Sequence, residues 1–305
     1  MRADNDVGGA SLSLKPALDR ISAEIDRQFD LLLKVPEDPR KPLFDAMRHA
    51  AIGGGKRLRP LLTVATAELF NVDRARALRV ATAIECIHVY SLIHDDLPAM
   101  DDDDMRRGKP TVHKVYGEAA AILAGDSLHA LAFEILAEEA TSPDPFVRSE
   151  LIYELARASG PNGMAGGQMM DLAAEEDVFD LPTVTKLQQL KTGALIAVSV
   201  EAGAILGRIP PEGRVSLRGY ARDIGLAFQI ADDIIDEEGD EALVGKALRK
   251  DAGAGKATFV SLLGIGRARD QAAALVEQAI AHLQIYGQEA DPLRAVARYI
   301  VERDR

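Results

Sequence analysis

The sequence has few cysteines and few aromatic residues, and it has fewer basic than acidic residues. Its 305 residues include one cysteine, no tryptophan and only 5% aromatic side chains. The single cysteine, Cys86, cannot form an internal disulfide, so a reducing compartment is expected. Because 36 Lys and Arg face 48 Asp and Glu, the net charge is −12. That balance argues against a nucleic-acid or anionic-membrane partner, since phosphate backbones are bound by an excess of Lys and Arg.

Uninterrupted apolar runs of membrane-spanning length are also missing from the sequence. The longest apolar stretch, residues 193–207, is broken by Glu201, which argues against a transmembrane helix. The N-terminal residues lack the basic and then apolar plan of a signal peptide. We therefore expect a cytoplasmic protein without integral membrane association.

The periodicity that is present is helical. Runs of alternating β-branched and aromatic residues, which would indicate strands, do not occur. Apolar residues instead recur at spacings of three and four in segments separated by Gly and Pro clusters. These segments are 14–33, 58–70, 75–93, 119–137, 147–158, 184–206, 215–235 and 268–283. We predict an all-α fold with a single domain over residues 13–305, preceded by a disordered segment over residues 1–12.

Two acid-rich segments stand in these apolar surroundings, the first at residues 95–104 and the second at 232–236. Carboxylates placed there repel one another and resist desolvation unless a cation joins them. Ligand sets made only of oxygen suit Mg²⁺, which commonly binds a few carboxylates together with substrate phosphates. One such run alone would be typical of a solvated helix end. Two runs, each after an apolar helical segment, favour a magnesium site for a phosphorylated substrate.

The spacing within each acid segment predicts how its carboxylates are presented. Asp232 and Asp236 are four residues apart and therefore share one face of a helix. Asp95 and Asp101 would not share a face on an unbroken helix. Pro98, which lies between them, should distort the intervening turn.

Basic residues lie close to both glycine-rich and acid-rich segments. Residues 56–59, Lys-Arg-Leu-Arg, follow three glycines, and residues 106–109 follow the first acid segment directly. Such groups suit a diphosphate, although the second cluster could simply neutralise the neighbouring aspartates. A nucleotide P-loop is excluded, because Ala50 and Arg57 replace the required Gly and Ser/Thr.

A glycine inside a long helical pattern marks residues 191–193, Lys-Thr-Gly. Gly193 costs about 1 kcal/mol relative to Ala in a helix. The interruption could expose carbonyls and a hydroxyl to a cavity, or it could allow two helices to approach closely. His88 and His94 precede Asp95 on an apolar segment, where a histidine is more often a hydrogen-bonded core residue than a metal ligand.

Taken together, these motifs resemble the trans-prenyltransferases, the polyprenyl synthase family, and especially bacterial farnesyl diphosphate synthases. The motifs that carry the resemblance are residues 54–60, 85–101, 106–108, 166–168, 191–193 and 228–236. The resemblance implies an isoprenoid-synthase helical bundle around a central cavity, assembled as a homodimer. It also implies condensation of isopentenyl diphosphate with dimethylallyl and geranyl diphosphate to give farnesyl diphosphate.

The resemblance assigns roles to particular side chains of this sequence. Three Mg²⁺ ions would be held on the allylic diphosphate by Asp95, Asp96, Asp101, Asp232 and Asp236. Isopentenyl diphosphate would be bound by Lys56, Arg59, His88 and Arg107. The allylic diphosphate would be bound by Arg106, Lys191 and Lys256. The catalytic residues would be Lys191, Thr192 and Gln229, the last two facing the developing carbocation.

Product length is assigned to Tyr90 and the adjacent Ser91. Tyr90 precedes Asp95 by five residues, about 7–8 Å along a helix, so its ring would close the cavity below the growing chain. In the family, an aromatic residue here together with an insertion matching Pro98-Ala99 marks bacterial farnesyl producers. The alternative is that Tyr90 only packs at a helix contact.

Three other functions are compatible with parts of the pattern. A terpene cyclase would need one diphosphate pocket, whereas the two basic clusters suggest two. A geranylgeranyl or longer-chain synthase would differ only in product length. A metal-dependent phosphohydrolase would use the dyad His94-Asp95 with further histidines, but it leaves the second acid segment unexplained.

Overall fold

The computed structural model describes residues 14–174, 177–238 and 257–302. The segment predicted to be disordered, residues 1–12, lies outside these ranges, and so does Lys256. The prediction of an all-α fold is confirmed, because the described chain is a helical bundle with one two-residue hairpin.

Every predicted apolar segment is helical, and the described residues form five further helices outside those segments. The helices are α1 (Lys15–Leu32), α2 (Lys41–Ala51), α3 (Leu58–Leu69), α4 (Arg74–Asp95), α5 (Val112–Tyr116), α6 (Glu118–Ala137), α7 (Pro145–Ser159), α8 (Met164–Ala173), α9 (Leu181–Gln188), α10 (Ala194–Leu206), α11 (Val215–Glu238), α12 (Phe259–Leu263), α13 (Ile265–His282) and α14 (Asp291–Glu302). Short 3-10 turns occupy Pro211–Arg214 and Gln288–Ala290. The hairpin pairs β1 (Met105–Arg106) with β2 (Lys109–Pro110) in antiparallel register.

Several helix starts are explained by local capping. The side chains of Asp73, Asp144 and Asp180 accept hydrogen bonds from main-chain N–H groups in the first turns of α4, α7 and α9. Such caps satisfy donors that have no partner within the helix. Proline stands in the first turn of α1, α2, α7 and α9, where its missing N–H costs nothing.

Helix α10 lies at the centre and positions the elements of the site. It packs against α3, α4, α7 and α11, and its side chains are almost all buried. The first acid segment begins at the end of α4, and the second lies on the last turns of α11. The bundle therefore carries both acid segments on helices that pack on α10.

By length and composition only, two stretches of helix could cross a membrane, Glu118–Ala137 and Leu181–Leu206. The second continues from α9 into α10 and packs inside the bundle. Glu201, which interrupts its apolar pattern, is buried and accepts hydrogen bonds from Arg214 at 3.2 Å and Arg218 at 2.7 Å. These contacts are typical of a core helix.

Candidate active site

A cavity of about 340 Å³, here called the central cavity, lies between α4, α8 and the start of α10. It brings together many of the side chains predicted from the sequence: Arg59, His88, Tyr90, Ser91, Asp95, Lys191 and Thr192. The rest of the wall is mostly apolar, with Met164, Met169 and Leu172 of α8, and it also includes His94 and Gln168. The cavity thus has a charged rim and an apolar interior, a combination that suits an amphiphilic substrate with an anionic head.

The first acid segment folds back on itself at the rim. Helix α4 ends at Asp95, and the main-chain N–H of Asp101 donates to the Asp95 carbonyl oxygen at 2.8 Å. The turn containing Pro98 therefore stops the helix rather than distorting it, and it places Asp95 and Asp101 side by side. Burial raises the pKa of Asp95 to about 6, with Lys191 lowering it and the negative charge of Asp101 raising it further.

The second acid segment faces the same region from α11. Asp232 is close enough to Arg59, which lines the central cavity, to influence the pKa of that guanidinium. Asp236 follows one helical turn later. Asp233 has a structural contact, because its carboxylate accepts a hydrogen bond from the Phe259 N–H at 2.7 Å.

These carboxylates fit a hard divalent cation. Burial and the nearby charge of Asp101 make the ionised form of Asp95 unfavourable. A bound cation would offset that electrostatic cost. Among the described residues, no three acidic, His or Cys side chains converge as a complete ligand set. A magnesium ion would therefore be held jointly by protein carboxylates and substrate phosphates, as Mg²⁺ commonly is.

Asp96 is separated from Asp95 by its position on the helix. It is buried, and its carboxylate accepts a hydrogen bond from Arg106 Nε at 2.5 Å. Both side chains line a second, smaller cavity beside the hairpin. Burial raises the pKa of Asp96, although Arg106 opposes the shift. Two side chains predicted to bind metal and diphosphate thus contact each other, and those roles stay predictions.

Two guanidinium groups act on His88: Arg59 lines the central cavity with it, whereas Arg107 lines the smaller cavity beside the hairpin. Burial lowers the pKa of His88 well below its usual value, with Arg59 and Arg107 adding to the effect. His88 is therefore neutral at pH 7. The Arg107 guanidinium lies against the glycine turn, where a Cβ on Gly55 would come within 2.6 Å of it. Gly55 has φ +87°, and this left-handed conformation is the reason that the turn needs glycine.

Arg57 stands between Lys56 and Arg59, which are predicted to bind substrate, but its own side chain contacts other parts of the protein. Its side chain is buried and donates to Glu85 at 2.6 Å and to Asp26 at 2.8 Å. The network anchors the turn that presents Lys56 and Arg59. No motif predicted this network, although Glu85 in an otherwise apolar helix segment indicates the need for a buried cation.

The interruption at residues 191–193 is a π turn, Gln189–Gly193, between α9 and α10. Thr192 lines the central cavity, and its hydroxyl accepts a hydrogen bond from Gln229 Nε2 at 2.8 Å. The same amide donates to Gln188 Oε1 at 2.6 Å. A Cβ on Gly225 of α11 would lie 3.4 Å from the Gly193 Cα. In the described chain, a Cβ on Gly193 itself would meet nothing nearer than the Gln188 carbonyl oxygen at 3.5 Å, an ordinary contact. The structure therefore supports exposure of the Thr192 side chain to the cavity, and no helix contact requires glycine at position 193.

Tyr90 both lines the central cavity and packs against another helix. Its ring makes edge contacts with His94 at 5.7 Å and with His129 of α6 at 5.0 Å between centroids. His129 in turn contacts Phe133 at 5.2 Å. Ser91, also on the wall, donates to the His88 carbonyl at 2.9 Å. This second aromatic layer was not predicted, because His129 and Phe133 lie on a helix with no recognised motif.

His94 is held by α6 as well. One ring nitrogen lies 3.1 Å from the Ile122 carbonyl oxygen. A Cβ on Gly125 would come within 2.1 Å of that ring, so the glycine makes room for the histidine. One nitrogen of His94 is thus engaged at a helix contact, while the residue also lines the central cavity together with Asp95.

Comparison with known proteins agrees with this geometry. The family model for polyprenyl synthetase matches residues 40–297, and the chain belongs to that family. It is a prenyltransferase. Farnesyl diphosphate synthase of Escherichia coli K12 is 46% identical, over 87% of this chain and 90% of that protein. A solved structure from Zymomonas mobilis, described as an FPP/GFPP synthase, has 62% identity and a TM-score of 0.88, and the match covers 95% of this chain and 99% of that one.

Longer-chain synthases are also similar. Geranylgeranyl pyrophosphate synthase 3 of Arabidopsis thaliana is 44% identical, over 87% of this chain and 75% of that protein. The family assignment was therefore predictable from the motifs, and the phosphohydrolase alternative is excluded. Product length has to be argued from the cavity.

Proposed function

We propose that this prenyltransferase condenses isopentenyl diphosphate with dimethylallyl diphosphate and then with geranyl diphosphate, and releases farnesyl diphosphate. The observation that carries the proposal is the central cavity, with acidic and cationic side chains at its rim and the Tyr90 ring in its wall. The similarity to proteins named farnesyl diphosphate synthase supports the same product.

The side chains at the rim would act on the charges of the reaction. Mg²⁺, with three ions expected on the allylic diphosphate, would neutralise charge on the departing group. Lys191 would hold that diphosphate, together with Arg106 and Lys256. Thr192 and Gln229, which hydrogen-bond each other, would direct oxygen dipoles towards the allylic cation.

Basic side chains and His88 would orient the second substrate. Arg59, Arg107 and Lys56 would bind isopentenyl diphosphate, and neutral His88 would add a hydrogen bond. Holding the alkene against the allylic carbon converts a bimolecular step into a nearly unimolecular one. The apolar walls from α8 would exclude water, which otherwise captures the cation.

A product assay tests the proposal. Labelled isopentenyl diphosphate is incubated with Mg²⁺ and either dimethylallyl or geranyl diphosphate, and the dephosphorylated products are sized by chromatography. Farnesol from both starters is expected. A predominant C20 or C25 product would replace the proposal by the longer-chain alternative. Loss of the allylic diphosphate without isopentenyl diphosphate would instead favour a cyclase.

We further propose that the enzyme is a homodimer joined through α6. Helix α6 is apolar, yet only 39% of its 18-residue apolar stretch is buried inside the bundle. Ile122 and Leu123 are 45% and 56% exposed on it. Contiguous exposed apolar surface of this kind is typical of a subunit interface.

The double substitution Ile122→Glu/Leu123→Glu is therefore expected to convert a dimer into a monomer, because it places two charges where a second α6 would pack. Light scattering coupled to gel filtration measures the mass. Phe146→Glu serves as the control, since Phe146 is 82% exposed on α7 and should leave the dimer intact. A monomeric unmodified protein at micromolar concentration would refute the interface.

A cytoplasmic location and the lack of a nucleic-acid or integral-membrane partner remain part of the proposal. They are supported by the net charge of −12 and by the lone thiol. Cys86 is buried, and burial raises the pKa of its thiol, so it is protected as a neutral group.

A further inference from the structure

Helix α8 carries the motif Gly166-Gly167-Gln168, whose role the proposed reaction leaves open. One turn beyond it, the Asp171 carboxylate accepts a hydrogen bond from Lys191 Nζ at 2.8 Å. Both side chains are withdrawn from solvent, with 16% of Asp171 and 28% of Lys191 exposed. The contact bridges twenty residues of chain and joins α8 to the π turn.

The same helix also touches the main chain of Lys191. A Cβ on Gly167 would lie 2.1 Å from the Lys191 main-chain nitrogen, so only glycine allows α8 to come this close. Gly167 and Asp171 are four residues apart and share one face of α8. Lys191 is thus held at two points by one helix, at its main chain and at its ammonium group.

The contact matters because the Lys191 ammonium is influenced by two carboxylates, those of Asp95 and Asp171. Lys191 is near enough to Asp95 to lower the pKa of that carboxyl, yet its ammonium donates a hydrogen bond to Asp171 on α8. A lysine side chain has four rotatable bonds and loses considerable entropy when fixed. Without a partner on α8, the ammonium would be free to swing towards the acid segment.

We propose that Asp171 is a positioning residue for prenyl transfer, which keeps the Lys191 ammonium at the cavity rim, where the allylic diphosphate departs. The inference rests on the proposed function, in which Lys191 binds that diphosphate. Asp171 does not touch the reacting carbons. Its negative charge weakens ground-state attraction for an anion, while its hydrogen bond fixes the cation for the transition state.

This division of roles predicts a specific kinetic pattern for Asp171→Asn. The substitution keeps the shape of the side chain but weakens its hold on the ammonium. We expect kcat to fall on the order of 10- to 100-fold, because small misplacements of charged groups are costly in the transition state. We expect KM for geranyl diphosphate to stay the same or fall, because a nearby negative charge has been removed. Asp171→Glu, which keeps the charge, should recover part of kcat.

Coupling to Lys191 separates positioning from a general structural effect. In the Lys191→Met background, Asp171→Asn should lower kcat no further, because the group through which Asp171 acts is gone. Asp180→Ala is the control for a general loss of stability, because Ala cannot cap the helix. Asp180 caps α9, directly before the π turn, so its substitution weakens the same segment and should lower the thermal midpoint without the loss of kcat.

Calorimetry with inorganic diphosphate and Mg²⁺ gives a readout that does not depend on turnover. Asp171→Asn should bind diphosphate at least as tightly as the unmodified enzyme. The proposal is overturned by unchanged kcat in Asp171→Asn, by weaker diphosphate binding, or by additive losses with Lys191→Met. If the unmodified enzyme gives no condensation product from any starter, the proposed function fails instead, and the calorimetry still tests the contact.

Discussion

Replacing Asp95 by Asn is expected to lower kcat by about 10³-fold, the size of effect seen when one group that stabilises transition-state charge is lost. Asp95 is the carboxylate of the first acid segment that lines the central cavity, and Asn cannot supply the negative charge that a divalent cation needs. The measurement is steady-state turnover of geranyl and isopentenyl diphosphate at saturating Mg²⁺.

The same substitution should leave the fold intact. The pKa of Asp95 is raised to about 6, mainly by burial, so its charge is held at a cost in the folded protein. A neutral Asn removes that cost, and the thermal midpoint should stay the same or rise. A parallel loss of thermal stability and activity would mean that Asp95 serves the fold.

Asp102→Asn is the control for the change in charge. Asp102 lies in the same acid segment, is exposed, and has φ 48°, a conformation that Asn tolerates. It should retain the turnover of the unmodified enzyme. If both variants lose activity equally, the effect comes from the total charge of the segment and the assignment of Asp95 is wrong.

Replacing Tyr90 by Ala is expected to shift the products beyond C15. The Tyr90 ring lines the central cavity, and its removal opens the wall towards His129 and Phe133 on α6. The growing chain can then extend past the level at which the ring stops it. Chromatography of dephosphorylated products should show C20 or longer alcohols in place of farnesol.

Two further variants show which ring acts as the barrier. Tyr90→Phe keeps the ring and should keep the C15 product. His129→Ala alone should also keep it, because Tyr90 still closes the cavity, whereas Tyr90→Ala/His129→Ala should give longer products than Tyr90→Ala. An unchanged product spectrum in Tyr90→Ala would reduce its role to packing between α4 and α6.

The predicted segments proved helical because each carries its own apolar periodicity and stop signals, whereas α2, α5, α8, α12 and α14 were not among them. The pattern through 184–206 even contained the interruption that becomes a π turn, although periodicity alone left the purpose of Gly193 open. The turn after Asp95 was harder. The sequence predicted a distortion at Pro98, whereas the chain ends the helix and closes a hydrogen bond from Asp101 back to Asp95.

The fold places some residues of the predicted site in different cavities. Asp95 and Asp96 are adjacent in sequence, but successive residues on a helix point in directions about 100° apart. Asp95 therefore lines the central cavity, while Asp96 pairs with Arg106 beside another cavity. Conversely, Asp171 was missed because its partner Lys191 is twenty residues away, and the pair forms only when α8 packs on the π turn.

The order and spacing of residues determined the helices, the family and the chemical types of the site, namely carboxylates for a hard cation and guanidinium and ammonium groups for diphosphates. These follow from short-range rules, since a helix face depends only on residues within a few turns. Which carboxylate faces the cavity, which aspartate holds Lys191 and what lies behind Tyr90 depended on helix packing. Packing joins side chains distant in sequence, and no local pattern encodes those contacts.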